Sequence, residues 1–413
     1  MFFGLIGEKL SHSFSKEIHN FYGNYDYQLY PMKSEEILPF IQREDFGGTN
    51  VTIPYKKTVI PYCDELSSVA EKTRSVNTIV KRNGRIFGDN TDYYGFLYTA
   101  NRSGISFTGK DVVVLGSGGT SATVVQAVTD GGAKSVTVVS RQGSVNYENI
   151  YETARDAEII INTTPYGMYP NNTQQPLVNL SEFKRLSGVI DVIFNPARTA
   201  LLALAVSMGI KTAGGLPMLA AQAKKSSELF TGAHIPDSKI EEIINIIEQK
   251  TQNIILCGMP GSGKTEIGKK LAYILKKDFI DTDAEIEKEA GIKIPEIFEK
   301  YGEDYFRNLE SEIIRLAGKR TSCVISTGGG SVLREENRYA LAQNGKVVFI
   351  KRPLNLLCRE GRPLSSSTDA LEKMYLTRLP VYEKFSDFSV DNDSTVKEAA
   401  EEILKKLNTQ EQL

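Results

Sequence analysis

The sequence predicts two α/β units in one chain, each built on a parallel sheet that carries a glycine loop at a strand-to-helix turn. Three observations predict it. Residues 254 to 265 read I-I-L-C-G-M-P-G-S-G-K-T, an apolar strand-like run feeding a complete G-x-x-x-x-G-K-T loop. Far upstream, Asp111-Val112-Val113-Val114-Leu115 feeds a second glycine loop, Gly116-Ser117-Gly118-Gly119, followed by a helical pattern from Ser121 to Asp130. The length, 413 residues, exceeds what one hydrophobic core usually supports.

In chain order, the first hundred residues read as short strands and turns. Their strongest polar punctuation, Asn101-Arg102-Ser103-Gly104, sets a subdomain boundary between 101 and 102. From Asp111 strands and helices alternate, with strands at Ser135 to Ser140, Glu158 to Asn162 and Gly188 to Ile193, as a parallel sheet requires. Ile235 to Lys250 places Ile240, Ile243, Ile244, Ile246 and Ile247 at helical spacing after the start signal Pro236-Asp237-Ser238, and closes the first half. No flexible linker is visible before the next strand at Asn253. Beyond the second loop, strands are expected at Asp278 to Asp281, Cys323 to Ser326 and Lys346 to Ile350, with an amphipathic helix from Val396 to Leu407. The expected domains are therefore 1–101, 102–234, a closing helix at 235–250, and 253–413.

Composition excludes several classes. No apolar run approaches the roughly 20 residues needed to span a bilayer, and Met1-Phe2-Phe3-Gly4 lacks the basic start of a signal peptide, so a cytoplasmic protein is expected. Cysteines at 63, 257, 323 and 358 show no C-x-x-C spacing and only 3 histidines are present, which supports neither a disulfide framework nor a zinc site. Cys257, in the strand before the second loop, is expected in the core. A formal charge of −2 gives no nucleic-acid footprint. Small anionic substrates can still be met by local arginines, and the oligomeric state stays open.

In the second loop, Pro260, Gly261, Ser262 and Gly263 cradle phosphates, Lys264 reaches the terminal ones, and the Thr265 hydroxyl is a usual Mg²⁺ ligand. The loop specifies a nucleoside triphosphate but no acceptor. After the loop come Asp281-Thr282-Asp283, Gly302 to Arg307, Thr327-Gly328-Gly329-Gly330, Glu360 to Leu364 and Arg378 to Tyr382. With these segments in this order, the chain from about Asn253 to Leu407 resembles shikimate kinase, a nucleoside monophosphate kinase-like P-loop fold. The resemblance implies that Asp281 helps hold Mg²⁺ and that Asp283 binds the acceptor hydroxyl and takes its proton. Arg307 and Arg378 would hold the shikimate carboxylate beside Gly329, and Arg362 would close over the phosphates as a lid residue. Read singly, each arginine is more often a solvated surface charge; the ordered set argues otherwise. Arg359 reads equally as an adenine-stacking group and as a surface charge. Ser365-Ser366-Ser367-Thr368 departs from the more apolar family lid.

Residues 1 to about 250 resemble shikimate dehydrogenase, through His12-Ser13-Phe14-Ser15, Gly48 to Lys56, Ser75-Val76-Asn77-Thr78 and Gly88 to Asp92. The resemblance implies Lys56 and Asp92 as the catalytic pair and Ser13, Ser15, Thr52, Asn77 and Gln222 around the substrate. Phe194 stands there where the family usually has tyrosine. His12 and His19 read as structural. Tyr93 and Tyr94, where the family commonly has glycine after the aspartate, either crowd the pocket or fill core. The first glycine loop, Gly116 to Thr120, suits a Rossmann-type pyrophosphate site, with Ser121 replacing the third glycine. Ser140-Arg141 ends the next strand with no acidic residue, and an arginine there suits a 2′-phosphate, so NADP(H) is expected rather than NAD. Thr163, Ile193, Gly215 and Met218 are implied at the cofactor by the same resemblance.

These readings converge on a fused enzyme that reduces 3-dehydroshikimate with NADPH and then phosphorylates shikimate with ATP and Mg²⁺. The adjacency of the two reactions is itself support. Two alternatives are a quinate-using dehydrogenase fused to a kinase, and a ligand sensor whose catalysis has decayed. Retention of Lys56, Asp92, Lys264, Thr265, Asp283 and Arg307 argues against decay.

Overall fold

The computed structural model describes residues 1–10, 14–172, 175–357 and 368–410, with 368–370 and 408–410 by backbone alone. The chain divides into two compact units, Met1–Ile247 and Glu248–Leu413.

The first unit opens with a mixed sheet of β1 (Phe2–Gly7), β2 (Tyr27–Pro31), β3 (Phe46–Val51), β4 (Glu65–Leu66), β5 (Thr78–Arg82) and β6 (Arg85–Asp89), in the order β2-β1-β3-β5-β6-β4. Four helices accompany it: α1 (Ser15–Tyr22), α2 (Ser34–Ile41), α3 (Ser68–Thr73) and α4 (Asp92–Arg102). The expectation of strands and turns thus missed the helical part of this segment. Three of the helices are only 6 to 8 residues long, α1 lacks a side-chain cap and α2 contains Pro39, so the periodic signal is weak. Helix α4 runs into the punctuation at 101–104 rather than ending before it.

The second sheet of this unit contains β7 (Asp111–Leu115), β8 (Ser135–Val139), β9 (Ile159–Asn162), β10 (Gly188–Asp191) and β11 (Lys211–Ala213), all parallel, in the order β11-β10-β9-β7-β8. Side chains of β7 alternate between two cores: Val112 and Val114 face Phe96, Val124 and Ile161, whereas Val113 and Leu115 face Ile150, Ile160 and Val189. A strand buried on both faces reads as a continuous apolar run, which is why β7 stood out in the sequence. Helices α5 (Gly119–Asp130), α6 (Ile150–Thr153) and α7 (Ala200–Ser207) flank this sheet, and α8 (Leu216–Thr231) packs on α1 and α4. Helix α9 (Ser238–Thr251) buries Ile240, Ile243, Ile244 and Ile247 against Ile18, Ala220 and Ala221.

The second unit has one parallel sheet, β13-β14-β12-β15-β16, formed by β12 (Asn253–Cys257), β13 (Asp278–Asp281), β14 (Cys323–Ser326), β15 (Gly345–Lys351) and β16 (Phe388–Asp391). Its helices are α10 (Lys264–Leu275), α11 (Thr282–Ala290), α12 (Ile294–Lys319), α13 (Glu335–Ala342), α14 (Thr368–Phe385) and α15 (Val396–Gln410). Gly302, at φ 80°, breaks α12. Central strand β12 sends Ile255 and Cys257 to one core and Ile254 and Leu256 to the other. Among the described residues no helix is long and apolar enough to cross a membrane.

Candidate active sites

In the second sheet the chain order reverses beside β7, the crevice where open α/β sheets bind ligands. Strand β7 is followed by Gly116, whose φ of 109° suits glycine and whose added β-carbon would sit 2.8 Å from Thr163 Oγ1. Ser121, replacing the third glycine, is buried and donates to Gly116 O at 2.7 Å, closing the loop from within. A cleft of about 940 Å³ opens here, lined by Gly116 to Thr120, Ser140, Arg141, Gln142, Tyr147, Thr163 and Thr164. From the first sheet, Ile53, Pro54, Lys56 and Lys57 line its other wall. No carboxylate is among its lining residues, so the cleft favours an anion. Tyr147 was not singled out by the sequence. Burial pushes its hydroxyl up and the Arg141 charge pulls it back down, which places Tyr147 in the electrostatic reach of Arg141.

Ile193, Gly215 and Met218 do not line this cleft. They form a neighbouring turn in which Gly215 N donates to Ile193 O at 3.0 Å, and a β-carbon on Gly215 would strike Val192 O at 2.1 Å. Buried Asp191 anchors that turn: it accepts from Ile193 N and Asn162 Nδ2, both at 3.1 Å, and from Thr199 Oγ1 at 2.7 Å. Burial pushes its carboxyl up to about 6, against the pull of these donors.

Lys56, in the turn after β3, donates to Asp92 Oδ2 at 2.5 Å, and both side chains are largely buried. Asp92 opens α4, where the helix dipole favours its charge. Its other oxygen accepts from Asn77 Nδ2 at 2.8 Å, so the carboxylate is held from two sides. Behind it, Ser226 Oγ lies within 3.0 Å of Asn50 Nδ2, Thr78 Oγ1 and Thr91 Oγ1, and Thr91 donates to Gln222 Oε1 at 3.4 Å. Asn50, Thr78 and Ser226 escaped the sequence reading, because isolated small polar residues carry no pattern until the fold gathers them.

Of the other substrate-side positions, Ser15 is buried at the start of α1, and Thr52 packs where a β-carbon on Gly7 would fall, 2.6 Å from its Cγ2. Phe194 meets Phe14 edge to face at 6.1 Å. Ser13 and His12 lie outside the described residues. His19 is buried, stacks on Tyr27 at 4.0 Å and lies 2.7 Å from the Tyr25 hydroxyl; burial pushes it down to about 3. Tyr93 and Tyr94 reach Asp130 and Asp237, at 3.0 and 2.9 Å, and fill core margins rather than the cleft.

In the second unit, β12 delivers the phosphate loop to the N-terminus of α10. Lys264 Nζ donates to Gly258 O and Met259 O, each at 3.0 Å, and Thr265 Oγ1 donates to Asp281 Oδ2 at 2.8 Å. Asp281 Oδ1 caps α11 by accepting from Asp283 N at 3.1 Å. The run Gly328-Gly329-Gly330 is where the remaining side chains meet. Added β-carbons would fall 2.6 Å from Asp283 Oδ1 at Gly328, 2.6 Å from Pro260 Cδ at Gly329 and 2.2 Å from Arg307 Nη1 at Gly330. Arg378 Nη1 and the Tyr382 hydroxyl both donate to Gly329 O, at 3.0 and 2.5 Å. Pro260, Asp283, Arg307, Gly329 and Arg378 therefore surround one site; Arg362 and Arg359 lie outside the described residues.

Glu310 is the largest omission of the sequence reading. Buried one turn after Arg307, it accepts from Arg307 Nη1 at 2.7 Å, while Glu303 takes the other edge of the guanidinium at 3.1 Å. Burial pushes the Glu310 carboxyl up, Arg307 opposes this, and nearby Asp283 adds to it. An Arg-x-x-Glu pair at helical spacing is a faint signal that could have pointed to it.

Comparison with known proteins separates the two units. Residues 5–79 match the model of the shikimate dehydrogenase substrate binding domain, and residues 260–408 that of shikimate kinase. A shikimate dehydrogenase (NADP(+)) of Clostridium perfringens strain 13 is 37% identical over 261 residues, covering 58% of this chain and 96% of that protein. A chorismate mutase/shikimate 5-dehydrogenase fusion protein from Clostridium acetobutylicum superposes with a TM-score of 0.57 at 34% identity, over 60% of this chain and 97% of that one. Shikimate 5-dehydrogenase from Thermus thermophilus, in complex with NADP(H) and shikimate, gives 0.53 at 29%, over 60% and 99%. The chain thus belongs to the shikimate dehydrogenase family and carries, beyond that part, a shikimate kinase domain.

Proposed function

We propose that this protein catalyses two consecutive reactions: reduction of 3-dehydroshikimate to shikimate with NADPH, and transfer of the γ-phosphoryl group of ATP to the 3-hydroxyl of shikimate. In this reading residues 1–101 bind the first substrate, 102–234 bind NADP(H), 235–250 close the dehydrogenase and 253–413 form the kinase. The observation that carries it is Lys56, on the wall of the cleft and held by Asp92 behind it, in a chain whose other unit gathers Asp283, Arg307 and Arg378 beside a phosphate loop.

When bound, NADPH supplies the hydride. Lys56 holds a proton at Nζ and gives it to the former keto oxygen as that oxygen gains an electron pair. Asp92 keeps the ammonium aimed, and Asn77 keeps Asp92 aimed. Arg141 meets the 2′-phosphate, with Ser140 and Thr120 beside it.

In the kinase, Arg307 and Arg378 hold the shikimate carboxylate, and Glu310 holds Arg307. Asp283 accepts the proton of the attacking hydroxyl. Lys264 exchanges its loop carbonyls for the terminal phosphates. The Thr265 hydroxyl and Asp281 carboxylate are hard oxygen donors already in contact, a donor set that fits Mg²⁺. Held by these two residues, Mg²⁺ would supply charge neutralisation at the terminal phosphates.

The test gives purified protein 3-dehydroshikimate, NADPH and Mg-ATP, with ATP omitted in one control and NADPH in another. NADPH should fall with or without ATP, and ADP should appear only when both are present. ADP formation from shikimate and ATP alone should also occur. Absence of either signal in folded protein would refute the corresponding half.

A further inference from the structure

The chain leaves β15 through Lys351-Arg352-Pro353, beside the phosphate loop. A β-carbon at Gly263 would lie 2.5 Å from Asn392 Nδ2 and 3.6 Å from Arg352 Nη1. Asn392, buried just after β16, donates Nδ2 to Ser262 O and its backbone N–H to Lys351 O, both at 2.7 Å. The ends of β15 and β16 are thereby tied to the loop and to each other. The Arg352 guanidinium is fixed on one edge by Nε donating to Leu356 O at 2.9 Å, and its Nη1 lies on the Gly263 side of the loop. Among the described residues Arg352 forms no ion pair. Lys264, the cation of the loop motif, is by contrast engaged with loop carbonyls.

A half-buried guanidinium whose Nη1 would be in van der Waals contact with a β-carbon on a phosphate-cradling glycine, and that meets no carboxylate among the described residues, is set up to receive an anion. We propose that Arg352 is a phosphate-binding residue of the nucleotide site, bonding the α/β-phosphates from the Gly263 side of the loop. The loop amides cradle those same phosphates, and a pre-positioned planar fork loses little freedom on binding them. Asn392 is the positioning residue that holds the loop against it. This inference rests on the kinase reading of the second unit.

Titration of the full chain with MgADP tests it. Arg352→Ala should weaken MgADP binding roughly tenfold to a hundredfold, the range of a hydrogen bond to a charged group. Arg352→Lys, which keeps the charge and loses the fork, should recover part of the loss, and Arg352→Gln should recover none. Unchanged affinity in Arg352→Ala would overturn the proposal, as would recovery by glutamine but not lysine, which would mean stacking on the base. Wild-type protein that fails to bind MgADP would overturn the kinase reading itself. Unfolding midpoints matching wild type in Arg352→Ala and Arg352→Gln keep loss of fold from imitating loss of binding.

Discussion

At the scale of single residues, the two chemistries should separate cleanly. Lys56→Ala should lower the rate of reduction by about 10²- to 10⁴-fold, the usual worth of a positioned proton donor, and leave ADP formation from shikimate intact. Lys264→Ala should do the converse, and loss of both activities in either variant would count against two independent sites. Glu310→Gln should raise the kinase KM for shikimate roughly tenfold through a misplaced Arg307, equivalent to about 1.4 kcal/mol, with the KM for ATP unmoved. What the sequence made legible here was whatever is contiguous or of a distinctive type: the phosphate loop, the Gly328 to Gly330 run, the Arg141 that ends its strand. Glu310, Asn392 and Ser226 were not legible, since a lone glutamate, asparagine or serine reads as solvated surface until the fold buries it.

Among elements, the pairing of α4 with α8 decides where Asp92 stands. Gly95 lies at that contact: a β-carbon there would fall 2.6 Å from Met218 O and 3.1 Å from Gln222 Cβ. Gly95→Ala should therefore destabilise the first unit by about 1–3 kcal/mol, the usual penalty of overpacking, and lower dehydrogenase turnover, with kinase activity unchanged. Denaturant unfolding followed alongside both assays would show it; an unaltered dehydrogenase would remove α4–α8 spacing from the account. The same glycine helped hide α4 from the sequence reading, because an interior glycine and two adjacent tyrosines lower helix propensity. Tertiary packing made the helix. Strands β7, β12 and β14 were read to their ends or nearly so, because parallel strands buried on both faces are largely unbroken apolar runs.

For the molecule as a whole, two buried groups make opposite demands on pH. His19 is pushed down to about 3 when folded, so its contribution is full above the unfolded value near 6.5 and is lost as pH falls from there toward 3. Wild-type protein should lose about 2 kcal/mol more stability than His19→Gln between pH 7 and pH 5, measured by urea unfolding at both. Asp191, pushed up to about 6, works the other way: its contribution is full below the unfolded value and is lost as pH rises through 6, so it partly offsets His19 over that window. Equal slopes for wild type and His19→Gln would show that His19 is not kept neutral by burial. Finally, because both units belong to one polypeptide, every molecule translated carries one copy of each catalytic centre. Expression level can then raise or lower the two steps only together, and their relative flux must be written into turnover numbers and affinities.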